Sequence, residues 1–326
     1  MNNKNAPFFS IIMPTYNRAY CIERAIKSVI NQDFHDFELL VEDDASTDST
    51  ENIISAINDG RIHYNKFDKN SGAPAARNRG VKRSIGQYLM FLDSDDELTP
   101  GALKIMAERI SKGKENYRQF AFQQVVAKES GIENQNKEEF DGIKEISYED
   151  SLMGRFHGLY VHGVISSDLK DLVVFEERCI SYLNLTYFDL KKKFGPVRLF
   201  QDIVKVYHRD NTDTITASLR KKNKEITRNS AIQSMLFINK FGQDMLKLNS
   251  SRYFFEHMRA AENLLLLKKP AMARYYLKKL RSAKKANISS NLLLCLSHLL
   301  DVLPIKGKDY SDQILDECFV EGAKKQ

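Results

Sequence analysis

The 326-residue chain is 42% hydrophobic and 28% charged, a composition that fits a soluble globular protein and excludes a disordered or membrane-embedded one. Its length calls for two or three compact units. The net charge of +6 is uneven: residues 1–218 carry 28 Lys and Arg against 33 Asp and Glu, and residues 219–326 carry 21 against 10. The basic character therefore belongs to the tail, where it bears on partners rather than on fold.

The first residues, Met-Asn-Asn-Lys-Asn-Ala-Pro, lack the apolar core of a signal peptide. No run approaches the ~20 apolar residues of a membrane span. Cys21, Cys179, Cys295 and Cys318 are widely spaced and are expected to be buried or incidental thiols of a reducing compartment. A cytoplasmic protein is expected.

In chain order, Phe8–Met13 is an apolar run that predicts a buried strand closed by Pro14. Apolar residues then recur with helical spacing at Ile22, Ala25, Ile26, Val29 and Ile30. Phe37–Val41 predicts a second strand ending at Glu42-Asp43-Asp44, and Asp48-Ser49-Thr50-Glu51 resembles a capping box at the start of a helix lined by Ile53, Ile54 and Ile57. Arg61–Phe67 is a more polar third strand, Ser71-Gly72-Ala73-Pro74 leads into another helix, and Tyr88–Leu92 is the fourth strand. Strand and helix alternating at this interval signal βαβ units on a parallel sheet.

Three of these strands end in polar or acidic residues: Thr15-Tyr16-Asn17, Asp43-Asp44 and Asp93-Ser94-Asp95. Ligands of open α/β sheets bind at the carboxyl ends of the strands. Carboxylates this close repel one another unless a cation lies among them. Asp-x-Asp suits a divalent ion that takes oxygen ligands, although an acidic turn capping the next helix would read the same way. The second half is less regular. Tyr117–Lys128 and Phe140–Ile146 are expected to pair across a Ser130–Glu139 loop, and Ile203–His208 reads as a late strand. Helices are predicted at Ile226–Phe241, Tyr253–Leu267, Ala271–Ala286 and Ser290–Leu303.

Four segments in order, Ser10–Arg18, Val41–Ser46, Gly72–Gly80 and Phe91–Asp96, together resemble glycosyltransferase family 2, strongly over residues 8–110 and weakly over 111–215. The resemblance implies the α/β GT-A fold: a Rossmann-like mixed sheet flanked by helices, here with a C-terminal all-helical extension. It implies a nucleotide-sugar-binding half at 1–115 and an acceptor-binding half at 116–218, leaving a basic helical domain at 219–326. By the same resemblance Pro14, Thr15 and Tyr16 form the wall beneath the base, and Asp44 accepts a hydrogen bond from uracil. Arg77 and Asn78 lie near the nucleotide, and Asp93 approaches the ribose. Asp95 binds Mn2+ or Mg2+, with Asp93 and His208 as further candidate ligands. Asp96 holds the loop or meets the sugar. The base that activates the acceptor is typically the aspartate of a Glu-Asp pair. This chain has Phe175-Glu176-Glu177 instead, which makes Glu177 or Glu176 the candidate, with Asp189 a poorer one on a helical stretch. His157 and His162, each beside a glycine, are candidates for the acceptor loop.

Residues Asn263 to Leu300 contain no Asp or Glu, and an amphipathic basic helix there could lie on an anionic membrane surface or simply be the solvated face of a bundle. Nucleic acid is not an expected partner, since no groove-reading motif accompanies the charge. A sugar nucleotidyltransferase would need a Gly-rich loop after the first strand, and Pro14–Arg18 has no glycine. The reading is an inverting, metal-dependent glycosyltransferase that uses a nucleotide-diphosphate sugar, a UDP-sugar above others. Its acceptor is a glycan or lipid-linked glycan of surface polysaccharide synthesis, with peripheral contact at the inner face of the membrane through 219–326. The alternatives are a catalytically silent nucleotide-sugar-binding module and a membrane-docked assembly protein.

Overall fold

The computed structural model describes residues 6–113, 117–128, 131–133, 143–155, 161–179, 183–208, 224–285, 287, 289–291, 294 and 316–320. The chain divides into two compact units, one of Met1–Glu177 with Ser181–Thr212 and one of Arg178–Ile180 with Asp213–Gln326.

The first unit is built on one mixed sheet. Strands β1 (Phe9–Thr15), β2 (Phe37–Asp43), β3 (Ile62–Lys66) and β4 (Tyr88–Phe91) are parallel, in the order β3-β2-β1-β4. The sheet continues through β9 (Val161–Ser166), β6 (Gln119–Lys128), β10 (Val197–His208) and the two-residue β5 (Glu97–Leu98). Here β9 runs antiparallel to β4 and β6, and β6 runs parallel to β10. Every residue of β1 and β2 is buried, which is why both read as nearly unbroken apolar runs.

Alternation along β1 divides the core. Phe9, Ile11 and Met13 pack with Ile22, Ile26 and Val29 of helix α1 (Ile22–Ile30) and with Leu103, Met106 and Ile110 of α4 (Ala102–Gly113). Ile12, Leu40, Leu89 and Phe91 face the other way, onto Val81 of α3 (Ala73–Arg83), Leu169, Phe175 and Leu190. Leu169 lies on a 3-10 helix (Ser167–Leu172) and Leu190 on α6 (Leu183–Phe194). Gly80 lets α3 sit close to the sheet, because a Cβ there would stand 2.4 Å from Ile12 Cγ2.

Three expectations are corrected. The first strand runs through Pro14 to Thr15, paired with β2. Its ladder to β4 ends at Ile12, so the missing N–H of Pro14 falls where that edge is already open. The capping box does not form on α2 (Thr50–Ser55). Asp48 instead accepts from the N–H and hydroxyl of Thr50, and Glu51 reaches Lys66 at 2.7 Å. The expected pairing of 117–128 with 140–146 is not made by the described residues 143–146. The edges of β6 are taken by β9 and β10, with β7 (Gly131–Glu133) beyond β9, so β8 (Ile143–Ile146) pairs with β10. A short helix, α5 (Tyr148–Leu152), follows under a Ser147–Asp150 capping box.

The second unit contains α7 (Lys224–Leu248), α8 (Ser250–Leu266) and α9 (Pro270–Ser282). Asn249 caps α8 by accepting from the Arg252 N–H at 3.0 Å. Pro270 stands in the first turn of α9, where a missing N–H costs nothing. Phe237 and Phe241 of α7, His257 of α8, and Tyr276, Leu277 and Leu280 of α9 are buried. The helix expected at Ser290–Leu303 lies largely outside the described residues. Among the described residues no helix is long and apolar enough to cross a membrane.

Candidate active site

Because β1, β2 and β4 are parallel neighbours, Thr15, Asp44 and Asp93 emerge at one edge of the sheet, as their strand ends suggested. Two turns there are tied together. Asn17 and Ala45 both take left-handed backbone, with φ of 49° and 64°. The Asn17 N–H donates to Ser46 Oγ (2.9 Å), the Thr47 N–H to Asn17 Oδ1 (2.8 Å), and the Arg18 N–H to Thr50 Oγ1 (2.8 Å). Thr15 is buried beneath these turns and Tyr16 is 42% exposed above them.

The acidic residues ending β2 have separate partners. Glu42 accepts from Arg83 at 2.7 Å and Asn65 at 2.9 Å. Asp43 accepts from the Ser46 N–H and the Tyr64 hydroxyl. Asp44 accepts from the Ser71 N–H (2.6 Å) and the Gly72 N–H (2.7 Å), which fixes the loop entering α3 at a glycine with φ of +90°. Burial pushes the Asp44 carboxyl above the usual carboxylate range, against those two amides. Each oxygen keeps a second lone pair, so a base at this edge could share it.

Arg77, only 5% exposed, donates from Nη2 to Asp93 Oδ1 at 2.6 Å. A buried guanidinium needs such a partner, whereas Arg79 is exposed and lies 4.1 Å above the Phe67 ring. Among the described residues, two buried polar atoms at this edge find no hydrogen-bond partner, Arg77 Nε and Thr15 Oγ1. Asn78 turns toward the segment after the 3-10 helix. It accepts from the Phe175 N–H (2.7 Å) and donates to Phe175 O (2.9 Å) and Glu177 Oε1 (2.7 Å). The Phe175 ring packs edge-on against Phe91, the last residue of β4, at 4.9 Å, so Glu176 and Glu177 follow directly from a contact with the strand that carries the acidic loop. Asp189 lies on α6, 3.0 Å from Lys193.

The loop from Asp93 to Glu97 is held by cations from three elements. Arg77 of α3 takes Asp93, Arg24 of α1 donates to the Asp95 main-chain oxygen at 2.8 Å, and Lys205 of β10 meets Asp96 at 2.8 Å. Asp96 is fully buried and also accepts from the His208 N–H, so it holds the loop. Burial pushes its carboxyl upward and the Lys205 ammonium pulls the other way. The half-buried Asp95 carboxylate accepts from its own backbone N–H, and burial first and Asp93 second push it up. A cation would relieve both effects.

Among the described residues no cluster of three or more His, Cys, Asp or Glu is placed to hold a metal ion. One or two carboxylates completed by substrate phosphates suit Mg2+ or Mn2+, and Asp95 with Asp93 fits that donor set. His208 is brought close to the loop, but its Nε2 lies 2.6 Å from Glu97 Oε1, so an ion would have to take Nδ1 or displace Glu97. His157 lies outside the described residues, and of His162 only the backbone, in β9, is described. Sequence reasoning missed Arg24 and Lys205. A lysine inside the predicted strand Ile203–His208 was the available signal, since a strand lysine with both neighbours apolar needs a buried partner.

Residues 10–158 match the model of the family described as glycosyl transferase family 2. The GalNAc(5)-diNAcBac-PP-undecaprenol beta-1,3-glucosyltransferase of Campylobacter jejuni is 37% identical over 161 residues, 47% of this chain and 50% of that protein. The succinoglycan biosynthesis protein ExoO of Rhizobium meliloti is 38% identical over 103 residues, 32% of this chain and 30% of that protein. The chain thus spans half or less of the length of these relatives. The structure of S. aureus TarS 1-349 in complex with UDP-GlcNAc matches with a TM-score of 0.59 at 18% identity, over 97% of this chain and 90% of that one. That likeness is one of fold, the GT-A arrangement with a helical C-terminal region.

Proposed function

We propose that this chain, whose residues 10–158 match the model of glycosyl transferase family 2, transfers a sugar from a nucleotide-diphosphate donor, a UDP-sugar, to a hydroxyl of a lipid-linked glycan. The transfer is a single displacement with inversion, in the synthesis of a surface polysaccharide by a cytoplasmic protein. The observation that carries this reading is the acidic loop: its flanking carboxylates are held by Arg77 and Lys205, while the Asp95 carboxylate receives no side-chain donor among the described residues. The undecaprenol-linked acceptor of the Campylobacter relative supports the acceptor class, and the UDP-GlcNAc complex of TarS supports the donor class.

Asp95 and Asp93 would hold Mg2+ or Mn2+, whose charge neutralises a departing diphosphate without proton transfer. The chain's own residues do the rest. Tyr16 presents an exposed ring for stacking on the base, over the buried Pro14 and Thr15. Asp44 offers its remaining lone pairs to the base. Arg77 keeps Asp93 in place beside the ribose, and Glu177, with Glu176 next to it, removes the proton of the attacking hydroxyl.

The test is UDP release from Asp95→Asn with a panel of UDP-sugars. A loss of about 100-fold or more is expected, and turnover equal to the unaltered protein would end the assignment. A second reading, a silent nucleotide-sugar binder, is favoured by Glu176-Glu177 standing where a Glu-Asp pair is expected. Donor binding by calorimetry with no UDP release over a broad acceptor panel would support it. Peripheral membrane contact through 219–326 rests on exposed Lys278, Lys284 and Lys285, which have no ion pair among the described residues. Flotation with anionic liposomes, with and without that segment, tests it.

A further inference from the structure

Helix α3 grips two acidic segments with two consecutive residues. Arg77 holds Asp93, and Asn78, about 100° further round the helix, holds Phe175 and Glu177. All the polar capacity of the Asn78 amide toward this segment is engaged. Its oxygen accepts from the Phe175 N–H, and its two N–H groups serve Phe175 O and Glu177 Oε1. Flipping the amide would set donor against donor at Phe175, so one orientation is selected. The segment has other anchors, the Phe175 ring on Phe91 and Thr186 Oγ1 donating to Val174 O at 2.7 Å. Neither touches the Glu177 side chain. Among the described residues, Asn78 is the group hydrogen-bonded to the Glu177 carboxylate.

We infer that Asn78 is a positioning residue on the acceptor side of the reaction rather than a nucleotide ligand. It aims the Glu177 carboxylate from the same helical turn that anchors Asp93, so the carboxylate receiving the acceptor's proton and the carboxylate beside the donor are set by one rigid element. The inference deepens the proposed function and rests on its assignment of Glu177 as base.

Four variants test it: Asn78→Ala, Asn78→Asp, Glu177→Gln and the double Asn78→Ala/Glu177→Gln. They are assayed for UDP release and acceptor glycosylation, and for amide exchange at Phe175. Asn78→Ala is expected to lower kcat about 10- to 100-fold, to leave the donor KM within about threefold, and to cost nothing further once Glu177 is Gln. Asn78→Asp keeps the acceptor for the Phe175 N–H but loses both donors. It should lose kcat as Asn78→Ala does while Phe175 stays protected from exchange, whereas Asn78→Ala exposes it. Losses that multiply in the double variant, or a raised donor KM with kcat intact, overturn the inference and leave Glu177 standing as base. A fully active Glu177→Gln removes the base assignment and this inference with it. Unchanged Phe175 exchange in Asn78→Ala overturns the inference without any turnover being needed.

Discussion

Lys205 and Asp96, 109 residues apart in sequence, form a buried ion pair with Nζ 2.8 Å from Oδ2. Lys205 comes from β10 and Asp96 from the acidic loop, so the pair fastens the loop to a strand on the far side of β9 and β6. Removing one partner of a buried pair leaves a charge without compensation. Lys205→Met should therefore destabilise the first unit by about 3–5 kcal/mol, and adding Asp96→Asn should recover part of the loss. Denaturant unfolding of the two variants checks this, and equal stability of the single and double variants would contradict it.

Gly80 is a contact requirement. Its missing Cβ would meet Ile12 Cγ2 at 2.4 Å, in the middle of a fully buried strand. Gly80→Ala should cost about 1–3 kcal/mol by overpacking. Ile12→Ala in the same chain should relieve part of that specific clash, giving a non-additive pair in thermal unfolding.

Ala45 carries a left-handed backbone, φ 64°, which a side chain disfavours by about 1–2 kcal/mol. Glycine removes that strain but adds unfolded-state entropy. Ala45→Gly should leave the protein about 0.5–1 kcal/mol more stable, with donor affinity unchanged in calorimetry. A drop in stability would mean that the turn is not strained.

His257 gives the second unit a pH dependence. It is buried, its Nδ1–H donates to Tyr253 O at 2.8 Å, and burial pulls its pKa down to about 4 from 6.5. A depressed pKa means the folded state binds fewer protons, so its contribution is present above pH 6.5 and is lost as pH falls toward 4. About 3 kcal/mol is involved. His257→Gln should flatten the acid limb of a stability-against-pH curve over that window, followed by circular dichroism of the helices.

What was legible in the chain was what local chemistry writes down. The unbroken runs at Phe9, Leu39 and Tyr88 marked buried parallel strands because both of their faces are covered. Their polar ends marked one rim because parallel strands share a direction. The exchanges across that rim were not legible. Nothing near Asp96 in sequence names Lys205, and nothing near Asn78 names Phe175, since side-chain pairing between distant segments leaves no periodicity. The edge-strand order was missed for a related reason: residues 143–146 could suit either neighbour until both edges of β6 were taken. Asp48 misled because a carboxylate two residues before a helix can serve the backbone N–H two positions on as readily as three.

The place of β10 in the sheet has a consequence for how the protein is made. Residues 1–100 contain every acid of the rim, yet the loop that bears them is locked by a strand ending at His208. A ribosome that has released only the first hundred residues has delivered Asp96 without its counter-charge, Lys205. Until β10 arrives the nascent loop must tolerate its own repulsion, so a chain cut before residue 205 would carry the family's signature residues and no finished site.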